Sequence, residues 1–106
     1  MNSATSGLYA AIGALDIGYG DEVIVSPYTM SACALAPMIY GAIPVFADVD
    51  PKTGLIAVDA VRDLLEAARD HGAVVAAVVP VDLNGHSAPI QDLADLLDPY
   101  AVPLVR

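Results

Sequence analysis

The chain holds one cysteine, one phenylalanine, no tryptophan and only four basic residues among 106. Each shortage excludes something. A lone cysteine builds neither a disulfide framework nor a zinc-ligand set, so an apolar core has to carry the stability. Cys33 stands between Ala32 and Ala34 in an apolar stretch and reads as a buried, inert thiol, at home in a reducing compartment. Lys52, Arg62, Arg69 and Arg106 are scattered, and thirteen acidic residues outnumber them to a net charge of -9. Nucleic acid and anionic membrane surfaces need a clustered basic patch, so no nucleic acid and no membrane is expected as a partner. No basic segment precedes an apolar run at the N-terminus, and a cytoplasmic location is expected. The charge-free run from Val23 to Ala47 is interrupted by Pro27, Pro37, Gly41 and Pro44, so it reads as strand, helix, strand rather than as a membrane span.

What is present is an apolar, foldable chain: 57% hydrophobic and 16% charged, with a length suited to about one domain. So little polar cover predicts apolar surface left exposed, and with it an obligate interface or further sequence outside this stretch.

The elements alternate. A polar run from Asn2 to Gly7 precedes Leu8, Ile12 and Leu15 at helical spacing, a helix ending before Gly18. Val23 to Val25 reads as a buried strand that breaks at Pro27 and hands over to a helix whose first residues are Thr29 and Met30. That helix is expected to present Leu35, Met38 and Ile39 as its apolar stripe and to stop at Gly41. Ile43 to Phe46 is the next strand, and a crossover of this length implies parallel pairing. Asp48 to Gly54 is a polar turn. Its Asp-x-Asp start resembles a calcium loop, but Lys52 takes the next ligand position and no Glu follows, so no metal site is expected.

Asp59 is read as the cap of a helix with Val61, Leu64, Leu65 and Ala68 on one face, ended by His71 and Gly72. Ala73 to Pro80 has the continuous small and β-branched content of a strand buried on both faces. A helix opened by Pro89 follows, with Ile90, Leu93, Ala94 and Leu97 as its buried stripe. Pro99 stops it, and Ala101 to Val105 begins another strand, which implies that the domain continues past this segment. The expected fold class is α/β: a mostly parallel sheet flanked by helices, with residues 1–106 forming a single incomplete domain.

In such a sheet ligands sit beyond the carboxyl ends of strands, near helix N-termini. Two places fit. The hydroxyl-rich start of the first helix can cradle a phosphate through free N-H groups, or can be plain capping. Asp82, Asn84 and His86 form a polar cluster after the third strand, and an Asn-Gly turn would look the same.

Taken together, Asn2-Ser3-Ala4-Thr5-Ser6-Gly7-Leu8, Gly20-Asp21-Glu22-Val23-Ile24-Val25, Tyr28-Thr29-Met30, the run from Gly41 to Asp50, and Val81-Asp82-Leu83-Asn84-Gly85 resemble, in order and spacing, the DegT/StrS sugar aminotransferases. The resemblance covers essentially the whole chain. It implies part of the large domain of the aspartate-aminotransferase fold, pyridoxal 5'-phosphate as cofactor, and a homodimer with the site at the subunit interface. The implied reaction moves an amino group from an amino acid, commonly glutamate, to a keto-sugar nucleotide. By the same resemblance Ala4, Thr5 and Ser6 match the phosphate-binding segment, and Met30 matches the commonly aromatic position stacked on the pyridine ring. Tyr28, Asp82 and Asn84 are candidates for the substrate side.

The lysine that holds the cofactor and the aspartate that faces its ring nitrogen have no counterpart here, since Lys52 matches nothing catalytic. No catalytic residue is therefore assigned, and the chain alone is expected to be inactive. A sugar dehydratase of the same family, or a noncatalytic α/β module binding a phosphorylated ligand or a partner, is the alternative.

Overall fold

A computed structural model describes residues 3–105. Its elements are α1 (Ala4–Ala14), β1 (Glu22–Val25), α2 (Ala32–Ile39), β2 (Ile43–Phe46), α3 (Val58–His71), β3 (Val75–Val79) and α4 (Ile90–Leu97), followed by one 3-10 turn at Asp98–Tyr100. The strands form a parallel sheet in the order β2-β1-β3. Beyond β3 the chain returns alongside it: Leu104 bridges Val78 in parallel, and the Val105 N-H donates to the Val78 carbonyl over 2.9 Å.

The sheet is covered on both faces, and the alternation of side chains along β1 shows how. Val23 and Val25 point into a core with Ile12, Cys33 and Ala36, on the side of α1 and α2. Ile24 points the other way, into a core with Val61 and Leu65 of α3 and Leu93 and Leu97 of α4. All three β1 side chains are fully buried, as a central strand flanked by two helical layers requires. This is a parallel α/β unit, the expected fold class.

Four local expectations are corrected. First, α2 starts at Ala32 rather than at Thr29. The buried Ser26 hydroxyl accepts the Tyr28 N-H over 3.3 Å, closing a bend around Pro27 that keeps residues 26–31 out of the helix.

Second, α2 buries Cys33, Ala36 and Pro37, whereas Leu35, Met38 and Ile39 are 45%, 54% and 62% exposed. Both faces of this helix are apolar, so periodicity does not choose between them. Close packing does: the small residues let α2 approach the sheet and α1. Near that contact, the Tyr40 hydroxyl donates to the Tyr9 carbonyl over 2.8 Å and would lie 2.6 Å from a Cβ on Gly13.

Third, α3 begins at Val58 with no side-chain cap, and Asp59 sits in its first turn, paired with Arg62 over 2.7 Å. There it complements the helix dipole instead of capping. Fourth, in α4, Ala94 is exposed and Leu96 takes its place as a half-buried residue. Gly72 ends α3 in the left-handed conformation, φ 72°, as expected of a C-terminal glycine.

Apolar side chains also remain outside. Ile43 and Phe46 on the edge strand β2 are 51% and 55% exposed, as is Ile39 of α2 at 62%. Among the described residues, no helix is long and apolar enough to cross a membrane, and no group of three His, Cys, Asp or Glu side chains could hold a metal.

Candidate functional site

Helix α1 starts because Ser3 is extended, φ -161° and ψ 161°, and its hydroxyl accepts the Ser6 N-H over 3.1 Å. The Ser3 carbonyl then accepts the first helical bond from Gly7. Ser6 thus joins the cap, while the N-H groups of Ala4 and Thr5 open the first turn with no intrahelical acceptor. The start of the helix forms one wall of a cleft of about 450 Å³, lined there by Ala4, Thr5 and Leu8.

The facing wall is the end of the loop after β1, with Thr29, Met30 and Cys33. Met30 is 80% exposed, so its thioether is available to a ligand rather than committed to the core. Burial pushes the Cys33 thiol above its ordinary value, and a hydrogen bond with the Thr29 side chain opposes part of that shift. This thiol is protonated and unreactive at neutral pH.

That shift predicts a pH effect. The folded state holds the Cys33 proton more tightly than the unfolded chain does, so the contribution to stability is complete below the ordinary thiol value of 9.0. It is lost as pH rises through the higher folded value. Urea unfolding of the wild type and of Cys33→Ala across the alkaline range should show a steeper loss in the wild type. Parallel curves would contradict the assignment.

Of the residues singled out from sequence, Ala4, Thr5, Thr29 and Met30 share this cleft, while Ser6, Tyr28, Asp82 and Asn84 lie outside its lining. Tyr28 is 60% exposed and lies over Gly54. The Asp82 carboxylate accepts the Ala88 N-H over 2.8 Å and ties the approach to α4. Asn84, φ 54°, and Gly85, φ 81°, are the central residues of a tight turn closed by the His86 N-H to the Leu83 carbonyl. Two successive positive φ values are what such a turn needs, and Asn-Gly supplies them. Lys52 lies in the turn after β2, where its N-H donates to Asp50, and is not part of the cleft.

Leu8 and Cys33 were not singled out from sequence as site residues. The signal for Leu8 was helical spacing, four residues beyond Ala4, whereas Thr29 lies outside α2 and gave no such signal for Cys33. The cleft offers helix N-H groups and a hydroxyl to an anion at one end, and apolar or thioether surface to a flat body at the other.

Comparison with known proteins gives this geometry a context. The sequence profile of the DegT/DnrJ/EryC1/StrS aminotransferase family matches residues 1–106. EpsN of Bacillus subtilis (strain 168), named as a pyridoxal phosphate-dependent aminotransferase, is 32% identical over 106 residues, 100% of this chain and 27% of EpsN. GDP-perosamine synthase of Vibrio cholerae is also 32% identical over 106 residues, 100% of this chain and 27% of the synthase. The crystal structure of a DegT DnrJ EryC1 StrS aminotransferase from Brucella abortus is similar with a TM-score of 0.90 at 29% identity, covering 94% of this chain and 27% of that one. The chain therefore spans about a quarter of the length of these relatives. Matched to the family profile along its whole length, and sharing the fold of a solved member, this chain belongs to the DegT/DnrJ/EryC1/StrS aminotransferase family.

Proposed function

We propose that this chain forms the phosphate-binding and ring-covering wall of a pyridoxal phosphate site, in an enzyme that moves an amino group from an amino acid, glutamate in our reading, to a keto-sugar nucleotide. The observation that carries the reading is the convergence of the α1 N-terminus and Met30 on one cleft of about 450 Å³, within the usual size of a cofactor pocket.

The residues present fit the group. The N-H groups of Ala4 and Thr5 and the Thr5 hydroxyl suit a phosphate dianion, and the helix adds about half a positive charge at its start. This matters in a chain of net charge -9, because the attraction is local while the long-range repulsion is screened within about 8–10 Å. The Met30 thioether suits a pyridine face, a contact worth about 0.3–1.5 kcal/mol.

When bound, pyridoxal phosphate supplies the electron sink that makes a C-H beside an amino group acidic. The chain's own residues anchor the phosphate, set the tilt of the ring and keep water off one of its faces. Among the described residues the cleft lining holds neither lysine nor carboxylate, so this segment alone is expected to bind without turnover. The exposed Ile39, Ile43 and Phe46 support association, and the assembly we favour is a homodimer. The single buried thiol is in keeping with a cytoplasmic protein.

Methionine-methyl NMR tests the reading. The chain has three methionines, and Met38 on the outer face of α2 serves as an internal control. Pyridoxamine phosphate is the probe, since without an aldehyde it does not react with Lys52. Its addition should shift the Met30 methyl by the ring current and leave Met38 in place. Pyridoxamine, lacking the phosphate, should bind about tenfold more weakly, a difference of about 1.4 kcal/mol. A Met30 signal unmoved by millimolar pyridoxamine phosphate would overturn the reading.

A further inference from the structure

The loops that leave the carboxyl ends of the three strands meet at one point, and that point is not in the cleft. Gly54, in the turn after β2, has φ +73°. A Cβ built there would lie 3.1 Å from Cδ2 and Cε2 of Tyr28, in the loop after β1, and 3.3 Å from Cδ2 of Leu83, in the loop after β3. The Tyr28 ring and a Leu83 methyl therefore rest together on the bare Cα of Gly54. A side chain there would displace the ring and strain the left-handed backbone. Leu83 is in turn held by its bridge to His86 across the Asn84-Gly85 turn.

We infer that Tyr28 is a positioning residue, whose ring, seated on Gly54 and Leu83, fixes where the loop after β1 presents Met30 to the cleft. The inference rests on the reading of Met30 as the ring-facing residue. Residues 26–31 lie outside α2 and are tied to it only at their far end, where the Ser31 carbonyl accepts the Ala34 and Leu35 N-H groups and the Thr29 side chain bonds Cys33. At the root the buried Ser26 hydroxyl takes the Tyr28 N-H, and two residues before Met30 the Tyr28 ring supplies the tie that seats the loop against the turns after β2 and β3. With that seat in place, the loop has one rest position. Without it, the loop pivots on its bonds to α2, and Met30, 80% exposed, samples more positions. Tyr28 is itself 60% exposed, so its truncation removes little buried core. A purely structural side chain would show the opposite balance, a large effect on unfolding and none on the cleft.

The test uses the same methionine-methyl signals in the whole chain. In the ligand-free protein, Tyr28→Ala and Gly54→Ala should move the Met30 methyl toward its random-coil shift with Met38 unchanged, while Tyr28→Phe keeps the wild-type signal because packing, not the hydroxyl, does the work. Pyridoxamine phosphate should then bind the two Ala variants about tenfold more weakly, the equivalent of about 1.4 kcal/mol, at an unfolding midpoint for Tyr28→Ala close to that of the wild type. Should Gly54→Ala fail to fold, Tyr28→Ala, a change at an exposed side chain, still reads the effect. A Met30 signal identical to wild type in ligand-free Tyr28→Ala would overturn the inference whatever the ligand does. A wild-type Met30 signal blind to pyridoxamine phosphate, with the ligand-free shifts as expected, would instead overturn the cofactor reading alone.

Discussion

Thr5→Glu should lose pyridoxamine phosphate binding by about a hundredfold, roughly 2.8 kcal/mol, while making the chain slightly more stable. The two effects have opposite signs because one feature, the positive end of α1, serves both. The first turn of α1 carries no acidic residue, so a carboxylate there gains about 0.3–1 kcal/mol from the helix dipole. The same carboxylate occupies the N-H groups that would take the phosphate, and repels the dianion as well. Losing charge-assisted hydrogen bonds costs about 1.5–3 kcal/mol, and repulsion accounts for the rest. Titration followed at the Met30 methyl gives the affinity, and urea unfolding gives the stability. Wild-type affinity in Thr5→Glu would remove the α1 N-terminus from the site. In the wild type, binding should also weaken as pH falls through about 6, where a phosphate monoester takes up its second proton.

Ile24→Ala should cost about 2–5 kcal/mol, the usual range for emptying a fully buried aliphatic site. Ile24 has no exposed surface, lies on the central strand, and packs with Val61 and Leu65 from α3 and Leu93 and Leu97 from α4. Strands to either side and helices above leave the site little room to collapse. Single domains have only about 5–15 kcal/mol in total, and a unit this small sits toward the low end. The variant is therefore expected to be partly unfolded at room temperature by circular dichroism. Ile39→Ala, at a side chain 62% exposed, should change stability by less than about 0.5 kcal/mol. Equal effects at the two positions would contradict the burial described.

The two isoleucines also show how much of the fold can be read from the chain. Val23 to Val25 was legible as a buried strand and the apolar run containing Val75–Val79 as one buried on both faces, since continuous small and β-branched sequence calls for two flanking layers. Gly72 and Gly41 were legible as helix stops. Helix α2 was not legible in the same way. Leu35, Met38 and Ile39 form the larger apolar stripe, yet Cys33, Ala36 and Pro37 are the buried side. Hydrophobicity counts the area a residue would hide, whereas the packed helix was chosen by how closely its backbone approaches its neighbours.

The site divides along the same line. Ser3-Ala4-Thr5-Ser6 carries its own chemistry: an extended serine, a cap and two open N-H groups follow from local sequence wherever such a segment starts a helix. Met30 and Tyr28 carry nothing local that assigns their roles. Only the placement of α1 beside the loop after β1 sets Met30 across from Thr5. Likewise, only the convergence of three loops on Gly54 gives the Tyr28 ring a seat outside the cleft.

By itself the sequence determined the α/β alternation, the parallel order implied by its crossovers, the scarcity of basic residues and the serine-capped start of α1. These are properties of period, composition and neighbours along the chain. Tertiary structure alone decided which face of α2 is buried, where that helix begins, and which of the candidate residues share a cleft. Each of those depends on contacts between segments far apart in sequence, where shape and close packing, not hydrophobic period, select among faces that are equally apolar.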